Sequence, residues 1–285
     1  MSLRVIIHDK HGDLKTNRVV EAPRQTYIHD FFATENYIIV NLHAAEFSPL
    51  GFLAGMKTFT EALTWDRDIG NLVMVIDKNG DGELRIYEAP GSWMWHALNA
   101  YEIGSEIVCD FVGYDEPDHF LGSNAVFKTI MSGKDGQANS PGTLRRWRID
   151  LGSSSLDETI IDDGHFEFPM IDPRVATRQH KCGYVSSSSQ SGSWWHDGVA
   201  RIDMNTGEKE SFHFGDKHYV GEPIFAVKPG GDIDQGWVLC EVFNGNSGRN
   251  GLAVFESATI GQGPVAIAWL DHSLPISFHG TWVEA

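Results

Sequence analysis

Short strand-like runs follow one another along the whole chain, separated by Gly, Asn and Asp turn signals. Residues 4–7 and 19–22 flank Asp9-Lys10-His11-Gly12-Asp13, which has the composition of a hairpin turn. Residues 72–76 and 84–87 flank Lys78-Asn79-Gly80-Asp81-Gly82, a second hairpin. Residues 37–42, 106–111, 144–150, 199–203, 210–214, 236–243, 252–256 and 265–270 continue the series, with turns such as Asn205-Thr206-Gly207 and Lys228-Pro229-Gly230-Gly231. So many short strands at close spacing predict an all-β sandwich, barrel or propeller. No internal repeat selects the propeller among these. The strongest helical stretch runs from Pro49 to Trp65, rich in Leu, Phe, Met and Ala. Residues 153–155 and 186–193 predict polar serine loops, the second followed by Trp194-Trp195-His196 at the cap of a strand.

With 41% apolar residues in 285, the chain can build a sizeable core. It carries 22 Lys and Arg against 39 Asp and Glu, a net charge of −17. That field repels phosphate backbones and excludes nucleic acid as the expected partner. Cys109, Cys182 and Cys240 are odd in number and form no CxxC pair, so reduced, buried thiols and a cytoplasmic setting are expected. The start, Met1-Ser2-Leu3-Arg4, lacks a signal-peptide plan, and no apolar run approaches the roughly 18 residues of a spanning helix.

Three of the 13 histidines have distinctive settings: Ile28-His29-Asp30-Phe31, Trp95-His96-Ala97-Leu98-Asn99-Ala100-Tyr101-Glu102, and Pro275-Ile276-Ser277-Phe278-His279-Gly280-Thr281-Trp282. Each is read at a strand edge beside aromatic and apolar residues. His8, His11, His119 and His218 stand in polar, turn-like contexts and are expected at the surface. The wide separation of His29, His96 and His279 excludes a local motif such as HExxH. A shared site would need distant strands to converge, and propeller blades do this by pointing their inner strands at one axis. Imidazole suits iron, but neutral ligands leave the Fe(II) charge uncompensated, so carboxylates must hold the rings and supply negative charge. Glu167 in Phe166-Glu167-Phe168-Pro169 and Glu222 in Gly221-Glu222-Pro223-Ile224-Phe225 are wedged among apolar residues and fit that role.

The three histidine stretches resemble those of the carotenoid cleavage oxygenases, non-haem iron enzymes that split carbon–carbon double bonds with dioxygen. The likeness extends through Arg145-Arg146-Trp147-Arg148-Ile149-Asp150-Leu151, Glu167-Phe168-Pro169-Met170-Ile171-Asp172-Pro173-Arg174, Gly183-Tyr184, Asp234-Gln235-Gly236-Trp237-Val238-Leu239 and Gly263-Pro264-Val265-Ala266. It implies a seven-bladed β-propeller with Fe(II) on its axis. Positions matching His29, His96 and His279 carry three of the family's four ligands, and those matching Glu167 and Glu222 carry two of its three bracing glutamates. The first histidine and first glutamate belong to a region upstream of Met1, so residues 1–285 are expected to be one N-terminally truncated propeller domain of four or five blades. His43 and His196 are the candidates to replace the missing ligand. Where the family reads Phe-Val-Pro after Glu-Pro, this chain has Phe225-Ala226-Val227-Lys228-Pro229.

The activity implied is cleavage of a carotenoid, apocarotenoid or stilbene-like alkene by O2 into two carbonyl products, with isomerisation as a family variant. The segment from Phe47 to Met56 matches an apolar insertion near the substrate mouth, implying peripheral membrane contact. Two other readings stay open: a catalytically incomplete propeller that acts as a binding or structural module, and a propeller hydrolase using another divalent metal. Asp77-Lys78-Asn79-Gly80-Asp81-Gly82 followed by Glu88 fits a calcium-loop pattern, yet its strand-like flanks argue for a hairpin.

Overall fold

The computed structural model describes residues 1–283 apart from Asp81, Glu83, Asp135, Ala138, Ser191, Gly192 and Ile276. Asp81 of the calcium-loop pattern, Ser191 and Gly192 of the serine stretch, and Ile276 of the last histidine motif therefore lie outside the described residues. β1 (Ser2–His8) and β2 (Leu14–Glu21) form a hairpin. β3 (Phe32–Ala33) and β4 (Tyr37–Leu42) begin the first four-stranded sheet. A side hairpin of β5 (Ala45–Phe47) and β6 (Leu63–Trp65) holds the short helix α1 (Pro49–Leu53) between its strands. β7 (Asn71–Asp77) and β8 (Arg85–Ala89) complete the order β3-β4-β7-β8.

The second sheet is a meander of β9 (Trp93–Ile103), β10 (Glu106–Tyr114), β11 (Thr143–Asp150) and β12 (Ser155–Asp162), with α2 (Ala125–Met131) between β10 and β11. The third is β13 (Phe166–Met170), β14 (Cys182–Ser187), β15 (Gly198–Asp203) and β16 (Lys209–His213) in chain order. In the fourth, β17 (His218–Val220) and β18 (Ile224–Val227) both pair with β19 (Gly236–Asn244), followed by β20 (Arg249–Glu256) and β21 (Ala266–Trp269).

The apolar cores lie between successive sheets, as in stacked propeller blades. Phe32 and Val73 of the first sheet meet Met94, Phe111 and Trp147 of the second. Leu98, Val112 and Leu144 meet Phe166, Val185 and Ile202 of the third, and Tyr184 and Val199 meet Phe225, Val238 and Phe255 of the fourth. Strands sandwiched in this way are buried on both faces, and β14 is buried at every residue. The first strands also contact one another, β3 with β9 and β9 with β13. These contacts set the leading strands of the first three sheets side by side.

Two stretches behind the family likeness prove to be ionic clamps. Arg146 grips buried Asp110 through Nε and Nη2 at 2.7 and 3.0 Å, while Arg145 donates to Glu158 and Asp115. Asp172, fully buried, accepts from the Arg174 guanidinium and from the Asp234 backbone N–H at 3.0 Å. Arg174 in turn donates to the carbonyls of Gly231 and Asp232, locking the third sheet to the fourth.

Several sequence expectations fail for local reasons. The helix expected from Pro49 to Trp65 is one turn of α1, a 3-10 turn at Thr60–Ala62 and strand β6, and α1 buries none of its residues. Without a buried stripe, its Leu and Phe residues have no helix to stabilise. Ser186 and Ser187, read as loop, are buried in β14. β3, β5, β12, β13, β14, β17 and β18 and the helix α2 had no counterpart in the sequence reading, and of β9 only a strand edge at His96 was read. All three cysteines are buried and unpaired, as expected.

Buried histidines make the fold acid-sensitive. His43 donates Nδ1–H to the Tyr27 carbonyl and accepts the Met94 N–H on Nε2, so protonating Nε2 removes the hydrogen bond from Met94. Burial pushes His43 down to about 4, and burial with the nearby Arg146 charge does the same to His180. Between about pH 6.5 and 4 the unfolded chain therefore binds protons that the folded chain refuses, and stability falls as pH falls. At about 1.4 kcal/mol per unit, the two rings together should cost roughly 4 kcal/mol between pH 7 and 5. Thermal melts should show a steep drop over that interval. A melting temperature that stays flat would contradict this assignment.

Candidate metal centre

β9 departs from regular pairing with β10 on both sides of Ala97. Asn99 pairs with Asp110, Ala97 with Phe111 and Met94 with Gly113, which leaves one extra β9 residue in each interval. Such bulges re-aim side chains and free backbone groups. The Ala97 N–H donates to Asp30 Oδ2 at 2.8 Å, and Asp30 Oδ1 accepts the Phe31 N–H at 2.8 Å. Asp30 thereby ties the irregular His29 segment to β9 beside His96.

His279 arrives from the other side. Glu241 of β19 accepts from Ser277 N and Oγ at 3.1 and 2.8 Å, and Asn250 Oδ1 accepts the Leu274 N–H at 2.7 Å. Glu222, between β17 and β18, accepts the Gly280 N–H at 2.9 Å. Polar contacts thus fix a segment that has no strand pairing of its own. Contrary to the strand-edge reading, only His96 lies at a strand; His29 and His279 sit in irregular backbone.

His29, His96 and His279 each offer a ring nitrogen, and these atoms lie within 4.8 Å of one another. Ring centroids are 5.2 Å apart for His29 and His96 and 5.0 Å apart for His96 and His279. Every Nδ1 is engaged: His96 with Glu167 Oε2 at 2.6 Å, His279 with Glu222 Oε1 at 3.1 Å, and His29 with the Tyr27 hydroxyl at 3.0 Å. The three Nε2 atoms are left for a shared ligand, and that of His96 is buried without a partner. A buried imidazole nitrogen left unpaired is costly, and a metal ion would satisfy it. The donor set, three imidazoles with two bracing carboxylates, suits a divalent first-row metal.

Burial disfavours the charged form of His96, but the Glu167 charge and hydrogen bond outweigh it and raise the ring above its ordinary value. His29 moves down, through burial first and then its neighbour His96. Glu167 also accepts the Phe168 N–H, and its own carbonyl takes the Ser186 hydroxyl at 2.9 Å. Phe168 has φ +50°, a left-handed conformation that costs a non-glycine residue about 1–2 kcal/mol. Its ring lies 5.2 Å from His96 and 5.9 Å from His279. Trp95 stands edge-on to His29 at 5.0 Å.

His43 and His196, the substitutes for a fourth ligand, lie outside this group. Both His43 ring nitrogens are hydrogen-bonded, and His196 Nδ1 is 2.7 Å from Ser186 Oγ in the core. His119 is also buried, where it accepts the Trp95 indole N–H at 2.7 Å and stacks on Trp194. Apolar neighbours brought there by the fold override its polar sequence context. Tyr27, Asp30, Phe168 and Glu241 were given no role from the sequence. Tyr27 and Asp30 gave no periodic signal, because both lie in the irregular segment around His29.

The fold and this centre define a propeller with a three-histidine, two-carboxylate site. The profile of the retinal pigment epithelial membrane protein family matches residues 1–284, and the chain belongs to that family, the carotenoid cleavage oxygenases. It is 24% identical over 285 residues to apocarotenoid-15,15'-oxygenase of Synechocystis, covering 99% of this chain and 57% of that protein. It is 26% identical over 294 residues to isoeugenol monooxygenase of Pseudomonas nitroreducens, covering 97% and 59%. Lignostilbene-alpha,beta-dioxygenase isozyme III of Sphingomonas paucimobilis is 23% identical over 299 residues, covering 97% and 58%. The structure of cobalt-substituted Synechocystis apocarotenoid oxygenase superposes with a TM-score of 0.89 at 23% identity, covering all of this chain and 58% of that one. The chain thus spans a little over half the length of these relatives.

Glu167→Gln keeps one oxygen for the His96 and Phe168 donors while exchanging the charged second oxygen for a neutral NH2. Metal retention after desalting should fall about 10–100-fold. Retention equal to that of the parent would contradict the bracing role.

Proposed function

We propose that His29, His96 and His279 hold one Fe(II), and that residues 1–285 are a single propeller domain of a dioxygenase. Its substrate would be a carotenoid, apocarotenoid or stilbene-like alkene, cleaved at a C=C bond into two carbonyl products. The observation that carries this reading is the set of three Nε2 atoms left unengaged while every Nδ1 is held. Fe(II) would supply the activation of dioxygen. Glu167 and Glu222 keep the His96 and His279 rings oriented and bring two negative charges to the site. Phe168 and Trp95, packed against the ligand rings, offer apolar faces that can seat an alkene and exclude water. Relatives named for apocarotenoid, isoeugenol and lignostilbene support a lipophilic alkene as the substrate class. The buried, unpaired cysteines support a reducing, cytoplasmic setting.

The α1 segment supports docking on a lipid surface. Leu50, Phe52, Leu53 and Met56 are 78, 42, 78 and 74% exposed. Among the described residues no helix is long and apolar enough to cross a membrane. With a net charge of −17, the attraction must be apolar rather than ionic. Phosphatidylcholine vesicles should co-sediment with the parent and not with a variant carrying Leu50→Ser, Leu53→Ser and Met56→Ser. Equal sedimentation of both would remove the patch from the account.

The metal reading is tested by anaerobic Fe(II) loading, desalting and iron analysis, with His279→Ala alongside. About one iron in the parent and a large loss in the variant is expected, followed by carbonyl products from an alkene substrate. Iron retained equally by His279→Ala would contradict the ligand assignment. Absence of iron from both proteins would favour a non-catalytic propeller module.

A further inference from the structure

We propose that His119 is the positioning residue for Trp95: its ring Nε2 takes the indole N–H and fixes the indole as the wall beside His29 against which the alkene lies. The inference rests on the proposed function above and adds to it a residue that acts from behind that wall.

The torsion that turns an indole about its bond to the side chain is broad and roughly two-fold, so a polar contact at the N–H decides how the ring faces its surroundings. Trp95 is half-buried on β9, immediately before His96, and meets the His29 ring edge-on at 5.0 Å. Its N–H, the one polar group of the indole, goes to His119 Nε2 at 2.7 Å. Phe120 meets the same indole edge-on at 4.7 Å. The turn that carries both residues is closed by the Phe120 N–H on the Pro117 carbonyl at 3.0 Å, so one short segment grips Trp95 twice. Packing alone would be met by a phenylalanine at this position; the N–H and its acceptor add direction. The tilt of the indole then sets how a flat alkene lies on the His29 side of the centre.

His119 is itself rigidly held. It is buried, with Trp194 stacked on its ring at 4.4 Å and Tyr114 tilted against it at 4.8 Å. Because Nε2 accepts, the ring proton sits on Nδ1, which faces Asp118 Oδ1 at 3.6 Å. Asp118 is fixed in turn through Oδ2, which accepts the Asn139 N–H at 2.8 Å. Burial draws the His119 ring below its ordinary value against the opposing pull of Asp118, so Nε2 stays unprotonated and able to accept. Three separate segments, those of Tyr114, Asp118 and Trp194, thus hold one acceptor in line with one indole.

The test uses Co(II)-loaded protein under nitrogen and a hydroxylated trans-stilbene as the probe, with the parent, His119→Leu, His119→Gln, Trp95→Phe and the double variant of His119→Leu with Trp95→Phe. Leucine fills the space without an acceptor, while glutamine still offers an oxygen to the indole. With both residue types labelled with heavy nitrogen, the parent should show a scalar coupling across the hydrogen bond from the Trp95 indole nitrogen to His119 Nε2. The indole N–H signal that Trp95→Phe removes should exchange with solvent about 10-fold faster in His119→Leu and slow again in His119→Gln. Stilbene should bind His119→Leu about 5–10-fold more weakly, with affinity regained in His119→Gln and Co(II) retention unchanged. In the Trp95→Phe background His119→Leu should cost no further affinity, because His119 acts through Trp95. Absence of the coupling, unchanged exchange or stilbene affinity in His119→Leu, or an equal affinity loss in both backgrounds would overturn the assignment. A parent that takes up no Co(II) or binds no stilbene would overturn the proposed function itself, and this inference with it.

Discussion

A 2.6 Å hydrogen bond between His96 Nδ1 and Glu167 Oε2 joins the first strands of two successive sheets, and the rest of the site is arranged around it. It requires β9 to be bulged, so that His96 points toward the centre, and β13 to carry Phe168 in a left-handed conformation. It leaves His96 Nε2 buried and unpaired between the other two rings. Both backbone departures cost free energy that regular strands would not. They are worth that cost only if the unpaired nitrogen has a ligand, and this links the strain in the backbone to the chemistry of the site.

The same logic assigns the other elements their parts. Blade packing brings the first strands of three successive sheets together, and the clamps Asp110–Arg146 and Asp172–Arg174–Asp234 tie strands and sheets to one another. Irregular segments then bring in the two histidines that strands do not carry: His29 through Asp30, and His279 through Glu222 and Glu241. The His96 and His279 rings are thus held by carboxylates from distant segments of the chain. Preorganisation of this kind fixes ligand direction before any metal arrives.

Much of the fold was legible because buried strands in a propeller read as apolar runs between turn residues. The run 37–42 matches β4 at both ends, and the hairpin around residue 80 has the expected strands on either side. Of β9 only a strand edge at His96 was legible, since its two bulges break the period of two on which strand reading depends. The helix expected from Pro49 failed because its apolar residues face outward. At the site, His29, His96 and His279 were singled out by their settings, and the fold brings them within ligand distance of one another. Tyr27 and Asp30 were passed over because their roles arise from irregular backbone, which no periodicity announces. His119 misled because its polar neighbours in sequence are not its neighbours in space.

The central claim is that three imidazoles share one metal ion. X-ray absorption of the anaerobically loaded protein tests it most directly. The account predicts a first shell containing three nitrogen scatterers at about 2.1 Å with the outer-shell pattern of imidazole rings. A shell dominated by oxygen, without imidazole scattering, would contradict it.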